Sequence, residues 1–107
     1  MKEVKRISIC NVPVDSLTMD ETVALIDQSI KRKENLHHVV VNAAKLVNAQ
    51  KDPELRASIV ECDIINADGQ SIVWAAKFLK EYLPERVAGI DLMDNLVALA
   101  ARENYKI

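Results

Sequence analysis

The residues of this chain best suited to chemistry gather around its two glycines. Asp68 and Gly69 stand inside "CDIINADGQSIVWAAKFL" (residues 62–79), where a strand-like run stops and a helix-like run begins at once. A carboxylate at such a switch has two readings. As an N-cap it accepts a backbone N–H of the following helix. As a general base it takes a proton from a bound hydroxyl. Asn42, which closes "VVVN", suits either a hydrogen bond to a sugar or the holding of a neighbouring turn. Arg86 in "PERV" offers a bidentate donor to phosphate or carboxylate, or an ion pair with Glu85 or Asp91.

Ordinary usage near 7% would give roughly seven glycines in a chain of this size. Only Gly69 and Gly89 are present, each just before an expected helix. Glycine there permits positive φ and close approach of backbone to a ligand, and helix N-termini favour anions. The pair therefore points to a phosphate-bearing ligand. The alternative is that both glycines only complete tight turns, since neither GxGxxG nor a Walker-type loop is present.

These residues need elements to position them. "VKRISICNVPVD" (4–15) reads as an edge strand turning at Asn11 into a second short strand. Thr18 with Glu21 fits a capping box. Met19, Val23, Ile26 and Ile30 then recur at helical spacing to about Lys33. "HHVVVNA" predicts a strand covered on both faces, with His37 and His38 opening it rather than acting as a catalytic pair. Asp52 and Pro53 suit the N-cap and first position of a helix through Ile59 or Val60.

"CDIINA" is the next strand. "GQSIVWAAKFLK" is a helix apolar on several sides, expected to be well buried with Trp74 in the core. Asp91 is the expected N-cap of the last helix, with Leu92, Leu96 and Leu99 on one stripe, and "YKI" reads as the start of a strand. The order predicts a single α/β domain segment over 1–107, layered, with a largely parallel sheet, forming the first part of a larger domain. In such sheets ligands bind beyond the carboxyl ends of the strands.

Composition narrows the function classes. The chain is 50% hydrophobic and 28% charged, as expected for a globular domain. A net charge of −2 gives no electrostatic reason to expect nucleic acid, and "KRK" at 31–33 suits a solvated helix end. Cys10 and Cys62 form no metal-ligand spacing and read as buried free thiols. No signal-peptide pattern or bilayer-length apolar run is visible, so the chain reads as cytosolic.

Taken together, "VVVNAAKLVNAQKDPELRASIVECDIINADGQSIVWAAKFL" and "PERVAGIDLMDNL" resemble the WecG/TagA/CpsF family of bacterial glycosyltransferases. "NVPVDSLTMDETV" resembles that family's opening, so the likeness runs over essentially the whole chain in order. The resemblance implies a Rossmann-like enzyme of cell-surface polysaccharide or wall-teichoic-acid assembly. It implies inverting transfer of N-acetylmannosamine, or a related sugar, from UDP to undecaprenyl-diphosphate-linked N-acetylglucosamine, with no obligatory metal or other cofactor. On this carry-over Asp68 matches the general base, Asn42 a polar pocket residue, and Arg86 an arginine near the same pocket. Gly69, Gly89 and Asp91 fall in the matching substrate-binding blocks. The resemblance also implies action at the inner face of the plasma membrane, and it leaves self-association open.

The chain departs from the family pattern in places. Val40 stands where many members carry threonine, removing a hydroxyl, and "NAAK" puts Lys45 near the pocket strand. The family's later half, with its further Gly-rich turn and basic C-terminal appendage, is expected beyond Ile107. Two alternatives therefore accompany the enzyme: an inactive UDP-sugar-binding module, and a structural α/β fragment.

Overall fold

A computed structural model describes residues 5–105. Along them run β1 (Arg6–Ile9), β2 (Val12–Asp15), α1 (Met19–Lys31), β3 (His38–Val41), α2 (Ala43–Lys51), α3 (Pro53–Val60), β4 (Ile64–Ala67), α4 (Gln70–Phe78) and α5 (Gly89–Glu103). The protein is a mixed α/β fold. One largely parallel sheet is not what forms: among the described residues there are two small sheets. β3 and β4 pair in parallel, while β1 and β2 make a separate antiparallel hairpin. The hairpin closes through Cys10 and Asn11, both left-handed at φ 51° and 63°. That geometry matches the twist of the flanking strands.

β2 lies beside β4, but a side chain joins them where a ladder would otherwise run. Asp15, 1% exposed, accepts the Ile65 N–H at 2.7 Å and Arg6 Nε at 2.6 Å. Arg6 Nη2 donates onward to Asp15 and to the carbonyls of Cys62 and Asp63. The hydrogen bond to Asp15 holds the Arg6 guanidinium pKa above its usual value.

Strand alternation sorts the remaining elements into layers. Val41, Ile65 and Ala67 join one apolar core with Ile7, Ile9, Val12 and Val14 of the hairpin, Leu46 and Ala49 of α2, Ile59 of α3, and Ile72 and Ala76 of α4. The opposite face carries His38, Val40 and Asn66. There Asn66, fully buried, accepts at Oδ1 from His38 Nε2 at 2.6 Å and donates from Nδ2 to Thr22 of α1 at 3.1 Å. Gly89, at the start of α5, lies against Val40. α1 and α5 pack together on this face.

Local rules explain most element boundaries. The Thr18–Glu21 capping box forms, and Asp52 accepts the N–H groups of Glu54 and Leu55. α2 was not foreseen from the sequence; Asn42 starts it by accepting the Lys45 N–H at 2.9 Å. α5 ends on Asn104 at φ 58°, a left-handed cap of the kind Asn tolerates. Leu92 and Leu99 are buried and Leu96 half-buried, as their spacing predicts.

Other expectations are corrected. The buried line of α1 is Thr22 and Ser29, with Thr22 accepting from the buried Asn66, and Ile30 is exposed. α4 buries only Ile72 and Ala76, leaving Trp74 on the opposite side and 66% exposed. Residues two apart in a helix face nearly opposite ways, so a helix apolar all round need not be buried all round. Cys10 is exposed and Cys62 half-buried, although both are free thiols. Asp91 is not an N-cap: α5 begins two residues earlier, with Ala88 in that position. Tyr105 lies outside any strand, and the rest of "YKI" falls outside the described residues.

Two predictions follow from this packing. Asp15→Ala strips the Ile65 N–H and Arg6 of their shared acceptor. A buried donor left unsatisfied costs about 1–3 kcal/mol, so urea unfolding should show a loss of that order. Arg6→Gln leaves the Asp15 carboxylate buried without its cation and should cost at least as much.

The second concerns α1 and α5. Tyr105 donates to Asp27 at 2.5 Å, which pushes the phenol up to about 12 and holds the Asp27 carboxyl below its usual value. The Tyr105 contribution to stability is therefore complete below about pH 10, the unfolded phenol value, and is lost as pH rises through about 12. The Asp27 contribution is lost as pH falls through its lowered value. An absorbance titration should show a late tyrosinate phase that disappears in Tyr105→Phe.

Candidate functional site

The carboxyl ends of β3 and β4 bring the polar residues together. Val41 pairs with Ala67 as the last register step, and the Asp68 N–H continues the ladder onto the Val41 carbonyl at 2.9 Å. Asn42 and Asp68 thus follow adjacent strand ends. The irregular segment 79–88 returns to the same edge, where the Val87 N–H donates to the Ala67 carbonyl at 2.6 Å. Arg86 is thereby set beside the Asp68 backbone. Glu85 anchors the segment from the other side by accepting the Met19 N–H at 2.7 Å, at the N-terminus of α1.

Three helices begin around this edge, and their starts differ. Asn42 caps α2 with its side chain, whereas α4 and α5 start at Gly69 and Ala88 with no side-chain cap. Asp68 precedes α4 but does not cap it. Its carboxylate is half-buried and makes no hydrogen bond or ion pair among the described residues. The backbone reason is Gly69, whose φ of 128° and ψ of 139° turn the chain sharply before the first helical residue. A Cβ built there would meet only Ser71 Oγ at 3.9 Å, so torsion rather than space requires the glycine.

Gly89 differs from expectation. It lies within the first turn of α5 and takes no positive φ. A Cβ there would make ordinary contact with Val40 at 3.8 Å. Neither space nor torsion therefore requires glycine at the start of α5, which lies against Val40 of β3.

The charges at this edge are exposed or half-exposed. Arg86 is exposed and has no ion pair among the described residues, so the alternative of a pairing with Glu85 or Asp91 does not form there. Glu85 serves α1 instead. Asp91 is exposed in the first turn of α5, a placement that suits a carboxylate near the positive end of the helix dipole. Lys45 folds back so that Nζ donates to the Val40 carbonyl at 2.9 Å, bringing a second cation to the end of β3. Its sequence signal was only the departure at "NAAK"; its position depends on α2, which the sequence did not announce.

Asn42 keeps its amide nitrogen without a partner among the described residues, because the cap uses Oδ1 alone. The edge therefore presents a carboxylate, an amide donor, an arginine and two helix starts with open N–H groups. Such an arrangement can accept a proton, orient a hydroxylated ligand and hold an anion. Among the described residues no group of three or more His, Cys, Asp or Glu side chains is placed to hold a metal ion. Nor is any described helix long and apolar enough to cross a membrane.

Comparison with known proteins agrees with the resemblance read from the motifs. The family model described as "Glycosyl transferase WecG/TagA/CpsF family" matches residues 7–107, and the chain belongs to that family. Its members are glycosyltransferases of cell-surface polysaccharide and teichoic-acid synthesis, which use a sugar donor and a lipid-linked acceptor.

Capping and chemistry at this edge are separable by stability. Asn42→Ala and Asp52→Ala remove side-chain caps and should each cost about 1 kcal/mol in chemical denaturation. Asp68→Asn removes no such bond and should change stability by less than about 0.5 kcal/mol. A loss at Asp68 equal to that at Asn42 would return Asp68 to a structural role.

Proposed function

We propose that this family member carries the base and part of the donor site of an inverting, UDP-sugar-dependent glycosyltransferase. The donor is UDP-N-acetylmannosamine or a related UDP-sugar. The acceptor is undecaprenyl-diphosphate-linked N-acetylglucosamine, met at the inner face of the membrane. The observation that carries this reading is the uncommitted Asp68 carboxylate at the end of a parallel strand pair, between two helix starts that lack side-chain caps.

Each residue then has a role that its chemistry supports. Asp68 takes the proton of the acceptor hydroxyl as that oxygen bonds to the sugar C1. The bond from C1 to the UDP oxygen breaks on the opposite face, and the electron pair leaves with UDP. Negative charge grows on the departing diphosphate, which Arg86 and the open N–H groups at the starts of α4 and α5 stabilise. The Asn42 amide donates to a sugar oxygen, and Gly69 lets backbone approach the ligand. Asp91, exposed in the first turn of α5, hydrogen-bonds a donor hydroxyl. In this reading β3 and β4 belong to a Rossmann-like sheet, whose ligands sit beyond the carboxyl ends of the strands.

A second reading, a UDP-sugar-binding module without turnover, is favoured by one observation. Val40, which supplies no hydroxyl, instead lies against Gly89.

Transfer assayed with UDP-N-acetylmannosamine and a short-chain lipid-diphosphate-N-acetylglucosamine decides between them. Wild type should transfer, and Asp68→Asn should lose about 10²–10⁴-fold in turnover while keeping donor affinity. Arg86→Ala should weaken donor binding as well as turnover. Donor binding without transfer in the wild type would establish the binding-module reading.

A further inference from the structure

Helix α4 carries a second feature at the end away from Asp68. The chain has four aromatic side chains in all (Trp 1, Tyr 2, Phe 1), and Trp74, Phe78 and Tyr82 fall within nine residues of one another. All three face solvent, at 66%, 88% and 66% exposure, and Leu79, next in the chain after Phe78, is 48% exposed. Trp74 and Phe78 lie one turn apart on the side of α4 opposite the buried Ile72 and Ala76. Lys80, at φ 61°, then reverses the chain, and the Glu81 N–H closes onto the Ala76 carbonyl. Leu79, seven residues after Ile72, falls on the other side of the helix, and Tyr82 follows beyond the turn.

The charges around this face decide what it suits. Lys77 and Lys80 are exposed among the aromatic residues and have no ion-pair partner among the described residues, and Glu81 is the single acid in the stretch. The other exposed apolar stripe, Ile90, Met93 and Val97 of α5, is interleaved with Asp91 and Asp94. An anionic surface attracts the first stripe and repels the second. Trp and Tyr rings, apolar in body and polar at one point, favour the headgroup level of a bilayer. Lysine flanking such rings adds attraction to anionic lipid.

We propose that the face formed by Trp74 and Phe78, with Lys77 on the same side of α4 and Lys80 and Tyr82 in the exposed stretch that follows, seats on an anionic lipid bilayer. The inference deepens the reading above and rests on it for its purpose, since a lipid-linked acceptor must be met at a bilayer.

Trp74 is the chain's single tryptophan, so its fluorescence reports this face directly. The chain is mixed with phosphatidylcholine vesicles, with or without phosphatidylglycerol, and followed by Trp emission and co-sedimentation. Emission should shift to the blue, and the chain should sediment, with the phosphatidylglycerol vesicles; both effects should weaken as salt rises. Lys77→Gln and Lys80→Gln should each weaken binding roughly fivefold. Phe78→Ser should abolish most of it, and Met93→Ser on α5 should leave it unchanged.

These side chains are exposed, so the variants should fold, as circular dichroism would check. Absence of the shift and of sedimentation overturns the proposal. So does equal weakening by Met93→Ser and Phe78→Ser, or a blue shift that grows with protein concentration without vesicles, which would mark the face as a contact between copies. No sugar is transferred in this experiment, so its failure leaves the catalytic reading standing, and a failed transfer assay leaves this one standing.

Discussion

The structure depends on how one buried carboxylate is satisfied. A charged group inside a protein is costly unless donors surround it. Asp15 meets that condition by drawing on Arg6 from its own hairpin and on the Ile65 N–H from the outer edge of β4. The bond to Ile65 fills a position that a neighbouring strand would otherwise occupy. Arg6 then spans to the carbonyls of Cys62 and Asp63, just before β4. Hairpin and parallel pair are locked in one relative position, and the apolar side chains of both sheets close into a single core. With β4 fixed at this edge, the place where it ends, at Ala67 and Asp68, is fixed as well.

The site follows from that end point by short backbone links. Asp68 bonds to β3, Val87 bonds to β4, and Glu85 ties the same segment to α1. Each link is a main-chain N–H meeting an acceptor, which positions Arg86 without committing its guanidinium. Gly69 turns the chain so that Asp68 misses the helix that it precedes. The carboxylate most easily explained as a cap is therefore the one that caps nothing. Asn42 and Asp52 do the capping, with their expected geometry.

Much of this was legible in the residues. The hairpin at Asn11, the capping box at Thr18, the Asp52–Pro53 helix start and the leucine stripe of α5 follow from local rules, and all four form. What was not legible depended on partners distant in sequence. The edge of β4 is filled by the Asp15 side chain, so the hairpin never joins a larger parallel sheet. Asn66 puts a polar group under α1, and Thr22, on the buried line of that helix, accepts from it. α4 looked buried because hydrophobicity alone does not say which of two opposite apolar stripes meets the core. Ile72 and Ala76 do, and the larger Trp74 and Phe78 remain outside. At the site, Asp68, Asn42 and Arg86 could be named from their types and from the family resemblance. Their gathering at one edge required the Val87–Ala67 bond, and Lys45 required a helix that had no clear signal.

In the proposed function a nucleoside diphosphate is held at the edge formed by the starts of α4 and α5. Amide resonances of the isotopically labelled chain, followed during titration with UDP, test this without any need for turnover. Saturable shifts should be concentrated at Gly69, Gln70 and Ser71 and at Gly89, Ile90 and Asp91, and be reduced in Arg86→Ala. Shifts confined to another part of the chain, such as the apolar cleft between α2 and α4 lined by Leu46, Val47 and Ala75, would contradict it. So would the absence of any saturable shift.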